Sequence, residues 1–403
     1  MLVQLASAAL ALVGWMALEV VARPELRVVA VEVLTMASIL SLPMTLGIAY
    51  TLPNFFRHTQ PDERRTPGPW SGHVSIAALT CLVAGCAGVL IVLVIPRLTA
   101  PGLATTCAAT IATAVLVSQL ARIDGRLTLA LAGAAVAPLA PLTWLLLGAG
   151  EIAERPGAVV FSFVSLAALL MLLCLTRAYG SSIRAVTRRA VYAVAPSTAL
   201  VLHLLAFTVL MQGVRLLPVI TGDDELLLEA HVPALVLGAA FTLVSSGQGV
   251  LAVKVQTAGD GSPRRRPSLL PLYVALGATG ATAVMLVSIG VNVRDVAFVS
   301  PSTIAGAVGA TAALTAYYRQ SAETLRRQRT WVLPSASLAA SGAFATVAML
   351  LTPERLGVAG LVWLLAGAIL FLALVLGLLE RAHRPKSTHV DAPLVATGTT
   401  TAV

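Results

Sequence analysis

The sequence predicts an all-α, polytopic membrane protein of about twelve transmembrane helices, arranged as two six-helix bundles related as parallel repeats. Three observations carry this. Of 403 residues, 58% are hydrophobic and only 11% charged, with a mean hydropathy of +0.89; a soluble domain carries about 25% charged residues. Apolar runs of about 20 residues or more recur along the whole length, as membrane-spanning helices require. The basic residues are not scattered but fall mainly in every second loop.

In chain order the spans lie near residues 2–22, 28–56, 72–95, 102–121, 127–150, 157–176, 191–220, 228–253, 268–293, 296–318, 331–352 and 356–380. The first lacks a basic leading region and a small-residue cleavage site, so it reads as a retained helix rather than a secretory signal. The connections are short, and none could hold a soluble domain. A boundary between spans 6 and 7 gives an N-terminal bundle of residues 1–180 and a C-terminal bundle of residues 181–382. Residues 383–403 are Thr/Ala-rich and are expected to form a disordered cytoplasmic tail.

A net charge of +9 raises the question of nucleic acid, and its distribution excludes that partner. The even loops (2/3, 4/5, 6/7, 8/9, 10/11) and the tail hold twenty of the 27 Lys and Arg residues, among them Arg64, Arg65, Arg188, Arg189, Arg264, Arg265 and Arg266. The odd loops hold Arg23, Arg27, Arg97, Arg155, Arg215, Arg294 and Arg355. By the positive-inside rule the even loops and both termini face the cytoplasm of a cell (plasma or inner) membrane. Arg23 and Arg27, which follow span 1, oppose this locally; the global count outweighs them.

A shift of 200 residues aligns Glu25-Leu26 with Glu225-Leu226, Gly47 with Gly247, Arg64-Arg65 with Arg264-Arg265 and Pro67 with Pro267. It pairs span 2 with span 8, and a six-helix offset preserves topology, so the halves are expected to be parallel repeats flanking a cavity. Cys81, Cys86, Cys107 and Cys174 lie inside spans as small hydrophobes. No disulfide framework, metal-ligand spacing, nucleotide-binding loop or hydrolase motif occurs, so no enzyme and no cofactor is expected. Trp70, Tyr192, Tyr273, Tyr317, Tyr318 and Trp331 fall at cytoplasmic ends and read as an interfacial belt. The acidic GDDE stretch, Gly222 to Glu225, reads as a solvated turn.

Ionisable groups at membrane depth are expensive and normally face a bundle interior or a watery cavity. They are Glu19 in span 1, Glu32 in span 2, His203 and Arg215 in span 7, and Lys254 closing span 8. His203 is the deepest. Arg215 lies about 18 Å further along the same helix, at about 1.5 Å per residue, and about 120° from a shared face. Gln212 points away from His203, about half a turn off. Each has a plain alternative: Arg215 snorkelling to headgroups, Glu19 pairing with Arg23 four residues on, Lys254 as a positive flank, His203 as a structural hydrogen-bonding group.

The segment RRAVYAVAPSTALVLHLLAFTVLMQGVRLL, Arg188 to Leu217, resembles the start of the second half of polysaccharide flippases in the multidrug/oligosaccharidyl-lipid/polysaccharide (MOP) transporter superfamily. In many of those proteins a Pro-containing seventh helix ends in an Asp-Arg pair. Arg215-Leu216-Leu217 resembles that ending, with Val214 at the Asp position. SLPMTLGIAYTLPNFFRH, Ser41 to His58, is similar to the end of the second helix in that family. The resemblance implies export of a lipid-linked oligosaccharide or polysaccharide precursor by alternating access. Its anionic headgroup would meet His203, Arg215, Gln212, Arg23 and Arg27, and Glu19 and Glu32 would be the candidates for ion coupling. The implied partners are the lipid-linked glycan, membrane lipids and glycan-assembly enzymes. Two alternatives stay open: a multidrug antiporter of the same superfamily driven by H⁺ or Na⁺, and a non-transporting scaffold or enzyme of glycan assembly. The net-basic chain suits anionic cargo better than cationic drugs.

The topology has a direct test. A cysteine at Thr221 should react with a membrane-impermeant maleimide in intact cells, and cysteines at Ser182 or Ser268 should be shielded. External labelling at Ser182 would overturn the twelve-span arrangement with inside termini.

Overall fold

The structure is a computed structural model. It describes residues 13–15, 17, 23–45, 69–123, 126, 128–130, 132–133, 135–136, 152, 154–177, 189–257, 270–293, 298–326, 332–351 and 353–382. Every regular element among them is helical. In chain order they are α1 (Pro24–Met44), α2 (Pro69–Val94), α3 (Thr99–Ile123), α4 (Arg155–Arg177), α5 (Arg189–Thr221), α6 (Asp224–Thr257), α7 (Leu270–Val293), α8 (Pro301–Arg326), α9 (Val332–Leu351) and α10 (Pro353–Ala382). Residues 13–15 are also helical. The all-α expectation therefore holds over the described residues, and nine of these helices are long and apolar enough to cross a membrane.

The exception is instructive. Span 10 forms α8, which begins at Pro301 and runs beyond the expected end to Arg326. It is rich in Thr, Gly and Ala rather than Leu and Val, because its neighbours are protein: Ala307, Ala310, Thr311, Leu314 and Thr315 are all buried. Spans 1 and 5 fall largely outside the described residues, as do the tail and most of the basic loops.

Two large apolar cores account for most of the packing. One draws only on the N-terminal helices, with Leu26, Ala30, Val33 and Ala37 of α1 against Cys81 and Val92 of α2, Leu103, Ala104 and Cys107 of α3, and Phe161 and Leu169 of α4. The other draws only on α5 to α10, with Phe207, Leu210 and Val214 of α5 against Leu314 and Tyr317 of α8, Ala340 and Phe344 of α9, and Leu365, Ile369 and Leu372 of α10. Between the two groups α1 touches α5 and α6, and α2 touches α5. Outward-facing Val83, Leu90, Val160, Met171, Leu286, Ile289, Leu374 and Leu378 give both groups an apolar exterior. That is an error in water and a requirement in lipid.

Small residues set how closely the helices approach, since lipid tails are as apolar as leucine and supply no hydrophobic drive between helices. A Cβ added at Gly88 of α2 would lie 2.7 Å from the Gly102 carbonyl of α3, and one at Gly213 of α5 would overlap the Phe344 ring of α9. Several threonine hydroxyls are satisfied within their own helices: Thr105, Thr113, Thr311 and Thr315 each donate to the carbonyl four residues back at 2.7 to 2.9 Å.

The GDDE stretch turns at Gly222 and Asp223, while Asp224 and Glu225 already belong to the first turn of α6. Gly222 takes a left-handed φ of 70° as α5 ends. The Asp223 amide closes a six-residue loop onto the Pro218 carbonyl at 3.0 Å. The Asp223 carboxylate then caps α6, accepting from the Leu226 amide at 2.9 Å. The interfacial reading of two aromatics needs correction. Tyr273 is 4% exposed and Tyr317 2%, and both face protein; the Tyr317 phenol meets a buried partner instead of the headgroups.

Gly213→Val should lower the thermal midpoint of the protein in detergent, by overpacking on the order of 1–3 kcal/mol. Gly238→Ala, where nothing lies within 4 Å of an added Cβ, should leave it essentially unchanged. Equal midpoints for the two would mean that Phe344 moves aside freely.

Candidate functional site

Along α5 the sequence places His203, Gln212 and Arg215 on different faces, and the structure sends them to different neighbours. His203 is 5% exposed and turned into the core of α5 to α10. Its Nδ1 lies 2.7 Å from Ser337 Oγ of α9, and its Nε2 lies 2.7 Å from the Tyr317 hydroxyl of α8. A neutral imidazole offers one donor and one acceptor, and each hydroxyl can play either part, so both ring nitrogens are satisfied whichever tautomer is present. Phe207 stacks on the Tyr317 ring with centroids 4.6 Å apart, and Tyr318 lies 5.2 Å from it. The Ser341 hydroxyl adds a bond to the Ala206 carbonyl at 2.7 Å. The histidine thus ties three helices together from within.

Arg215 points elsewhere. It is 8% exposed, too deeply enclosed by protein for a snorkelling side chain whose head reaches the headgroups. Its Cζ lies 5.3 Å from the ring centroid of Trp15, within cation–π range, and its Nη2 donates to the His231 carbonyl of α6 at 3.4 Å. The Trp15 ring in turn packs on the His231 ring, centroids 4.6 Å apart. Arg215 and His231 belong to the C-terminal helices, and Trp15 packs against the N-terminal core. The group therefore sits on the seam between the two sets of helices.

Two further charges converge there. Arg27 of α1 lies near enough for its charge, with that of Arg215, to be felt at the His231 ring. Glu32, further along α1 and half-buried, feels the charge of Asp224 at the start of α6. At the seam near the α5–α6 turn, Arg215, Trp15 and His231 are thus in contact, with Arg27 of α1 near enough to act on the histidine through its charge. The remaining sequence candidates are less engaged: Arg23 is exposed just ahead of α1 and Gln212 is half-buried on α5, while Glu19 and the Lys254 side chain lie outside the described residues.

His231 and Trp15 were missed by sequence reasoning. His231 falls at the head of an expected span and is completely buried. The usable signal was its position seven residues after Asp224, two turns into α6 on one face. Trp15 carried no signal beyond being an aromatic in an apolar run.

Removing His203 should destabilise the C-terminal helices rather than only an exposed site. His203→Ala strands two buried hydroxyls and should cost about 1–3 kcal/mol, read as a lower thermal midpoint in detergent; Tyr317→Phe should cost less, since Ser337 still holds the ring. An unchanged midpoint for His203→Ala would show that Ser337 and Tyr317 find other partners.

No protein-family model matches the sequence, and no curated protein matches it either. Among solved structures, one designated protein A is 14% identical with a TM-score of 0.53, over 95% of this chain and 95% of that one. The MATE multidrug transporter DinF-BH, solved as a complex, is 14% identical with a TM-score of 0.49, over 94% and 95%. An inward-facing multidrug resistance MATE family transporter of the MOP superfamily is 13% identical with a TM-score of 0.43, over 94% of each chain. The first shows a fold shared nearly end to end and nothing about cargo; the two scores below 0.5 settle nothing further. The chain is a multi-pass, all-helical membrane protein.

Proposed function

We propose that this protein is a transporter of the MOP superfamily. It moves a lipid-linked oligosaccharide or polysaccharide precursor between leaflets of a cell membrane by alternating access, with both termini in the cytoplasm. The observation that carries this reading is the enclosed Arg215 guanidinium on the seam between two separately cored groups of helices. Such a substrate joins a diphosphate headgroup to a polyprenyl tail. A seam lined by Arg215 and Arg27 offers forked donors that match phosphate oxygens in pairs, and the apolar exterior leaves room for the tail in lipid. Gln212 and Arg23 remain further candidates for the headgroup, and His203, held by Ser337 and Tyr317, would act on it only by fixing α5. No nucleotide-binding motif was found in the sequence, so an ion gradient or the membrane potential would drive turnover, each charge moved being worth about 2.3 kcal/mol per 100 mV. Glu32 and Glu19 are the proposed coupling acids.

A second reading is favoured by one specific observation, the position of half-buried Glu32 on α1 within reach of the Asp224 charge at the start of α6. Two acids held near each other would suit exchange of a cationic drug for H⁺ or Na⁺. The arginines beside them oppose a cationic cargo, which is why the glycan precursor is preferred.

Arg215→Lys should insert normally but lower export, and Arg215→Ala should lower it further, on the order of tenfold or more if a charge-assisted pair to phosphate is lost. The readout is accumulation of lipid-linked precursor on the cytoplasmic leaflet at matched expression. Wild-type export by Arg215→Ala would reduce this arginine to a packing role, and loss of drug resistance in Glu32→Gln without precursor accumulation would favour the antiporter.

A further inference from the structure

The seam also holds something that substrate binding does not require. Several of its residues are fully buried yet lie outside both apolar cores. On α1 these are Val31 and Thr35, 0% and 1% exposed, in register with Arg27 at four-residue spacing. On α6 they are Leu227 and Leu235, 2% and 6% exposed, in register with His231. A spacing of four keeps side chains on one face of a helix, and α1 packs on α6. Both stripes are thus covered by protein outside the two cores, and near the α5–α6 turn Arg215 reaches over to Trp15 while Trp15 packs on His231.

We propose that Trp15, Arg215 and His231 form a latch that holds the two groups of helices shut at the odd-loop face, and that opening that face requires the guanidinium to leave the indole. This rests on the alternating-access reading above and adds the element that decides which face is open. The choice of contact suits the task. A guanidinium on an indole face is held by the ring quadrupole and by desolvation, so it is strong while enclosed and weak once water enters. An apolar interlock like the two cores would have no such release. An anionic headgroup arriving at the seam would compete with the indole for the same guanidinium. It would then bind the open form better than the closed one, as a ligand must if it is to shift a two-state equilibrium.

The test is accessibility in the full chain, with the four native cysteines replaced and a reporter cysteine at Leu227, buried and one turn from His231. A membrane-impermeant maleimide is applied from the odd-loop face. Labelling should be slow in this parent and in Trp15→Phe, which keeps an aromatic face. Arg215→Met fills similar space without charge and should label about tenfold faster, as should Trp15→Leu. A second reporter, Ala340→Cys in the C-terminal core, should stay unlabelled in all of them. Unchanged Leu227→Cys labelling in Arg215→Met and Trp15→Leu would overturn the latch, and so would parallel labelling of Ala340→Cys, which would assign the effect to a loosened fold. No glycan is needed for this measurement. Fast labelling with no precursor accumulation in Arg215→Ala would keep the latch and sink the glycan cargo; unchanged labelling with Arg215-dependent export would sink the latch alone.

Discussion

In hydrocarbon, a backbone amide or carbonyl has no water to turn to, so each must be satisfied inside its own segment. Everything else in this protein is arranged around that constraint. It makes helix the only regular structure among the described residues, and it sends Thr hydroxyls back to the carbonyl four residues earlier. It also removes the usual source of fold specificity. Between helices that are apolar all round, discrimination falls to the fit of small residues, such as Gly88 against Gly102 and Gly213 against Phe344, and to the few polar groups that cannot be left alone.

Those polar groups divide into two kinds on a single helix. His203 is answered on both sides by hydroxyls of neighbouring helices within one core, so it confers register: α5, α8 and α9 have one arrangement that satisfies it. Arg215, twelve residues on, is answered across a boundary between cores, by an indole from the N-terminal group and a carbonyl from α6. The first kind resists motion between helices and the second permits it. Rigid groups that move against each other need both, since packed cores deform poorly while a seam can have two discrete arrangements.

The seam also shows why the net charge of the chain is a poor guide to its chemistry. Most of the basic residues fall between the expected spans, where the positive-inside rule would use them to orient the protein in the bilayer. The charges proposed to bear on function are a few that depart from that pattern, the half-buried Arg27 and the buried Arg215 among them. Opposing them, Glu32 and Asp224 keep the seam from being simply basic, so anion recognition there would depend on the forked geometry of arginine and not on net potential alone.

The sequence by itself determined the class, the approximate course of most of the described spans and the two faces of α5. Apolar runs of membrane length have one physical outcome, and a helical period of about 3.6 residues already separates His203 from Arg215 and Gln212. It determined the GDDE turn as well, because a glycine and an Asp in that order answer the open ends of two helices. Only the tertiary structure decided what those faces meet. Nothing in the spacing of Tyr317, 114 residues from His203, marks it as that histidine's partner, and an aromatic near a helix end reads as interfacial until another helix covers it. Likewise nothing in the sequence singled out His231 or Trp15, and Arg215 could be read either as a headgroup ligand or as an anchor, until packing buried the histidine and the arginine and set the indole against both. The reason is that local periodicity fixes which way a side chain points, while the dielectric around it and the partner it finds are set by helices far away in sequence.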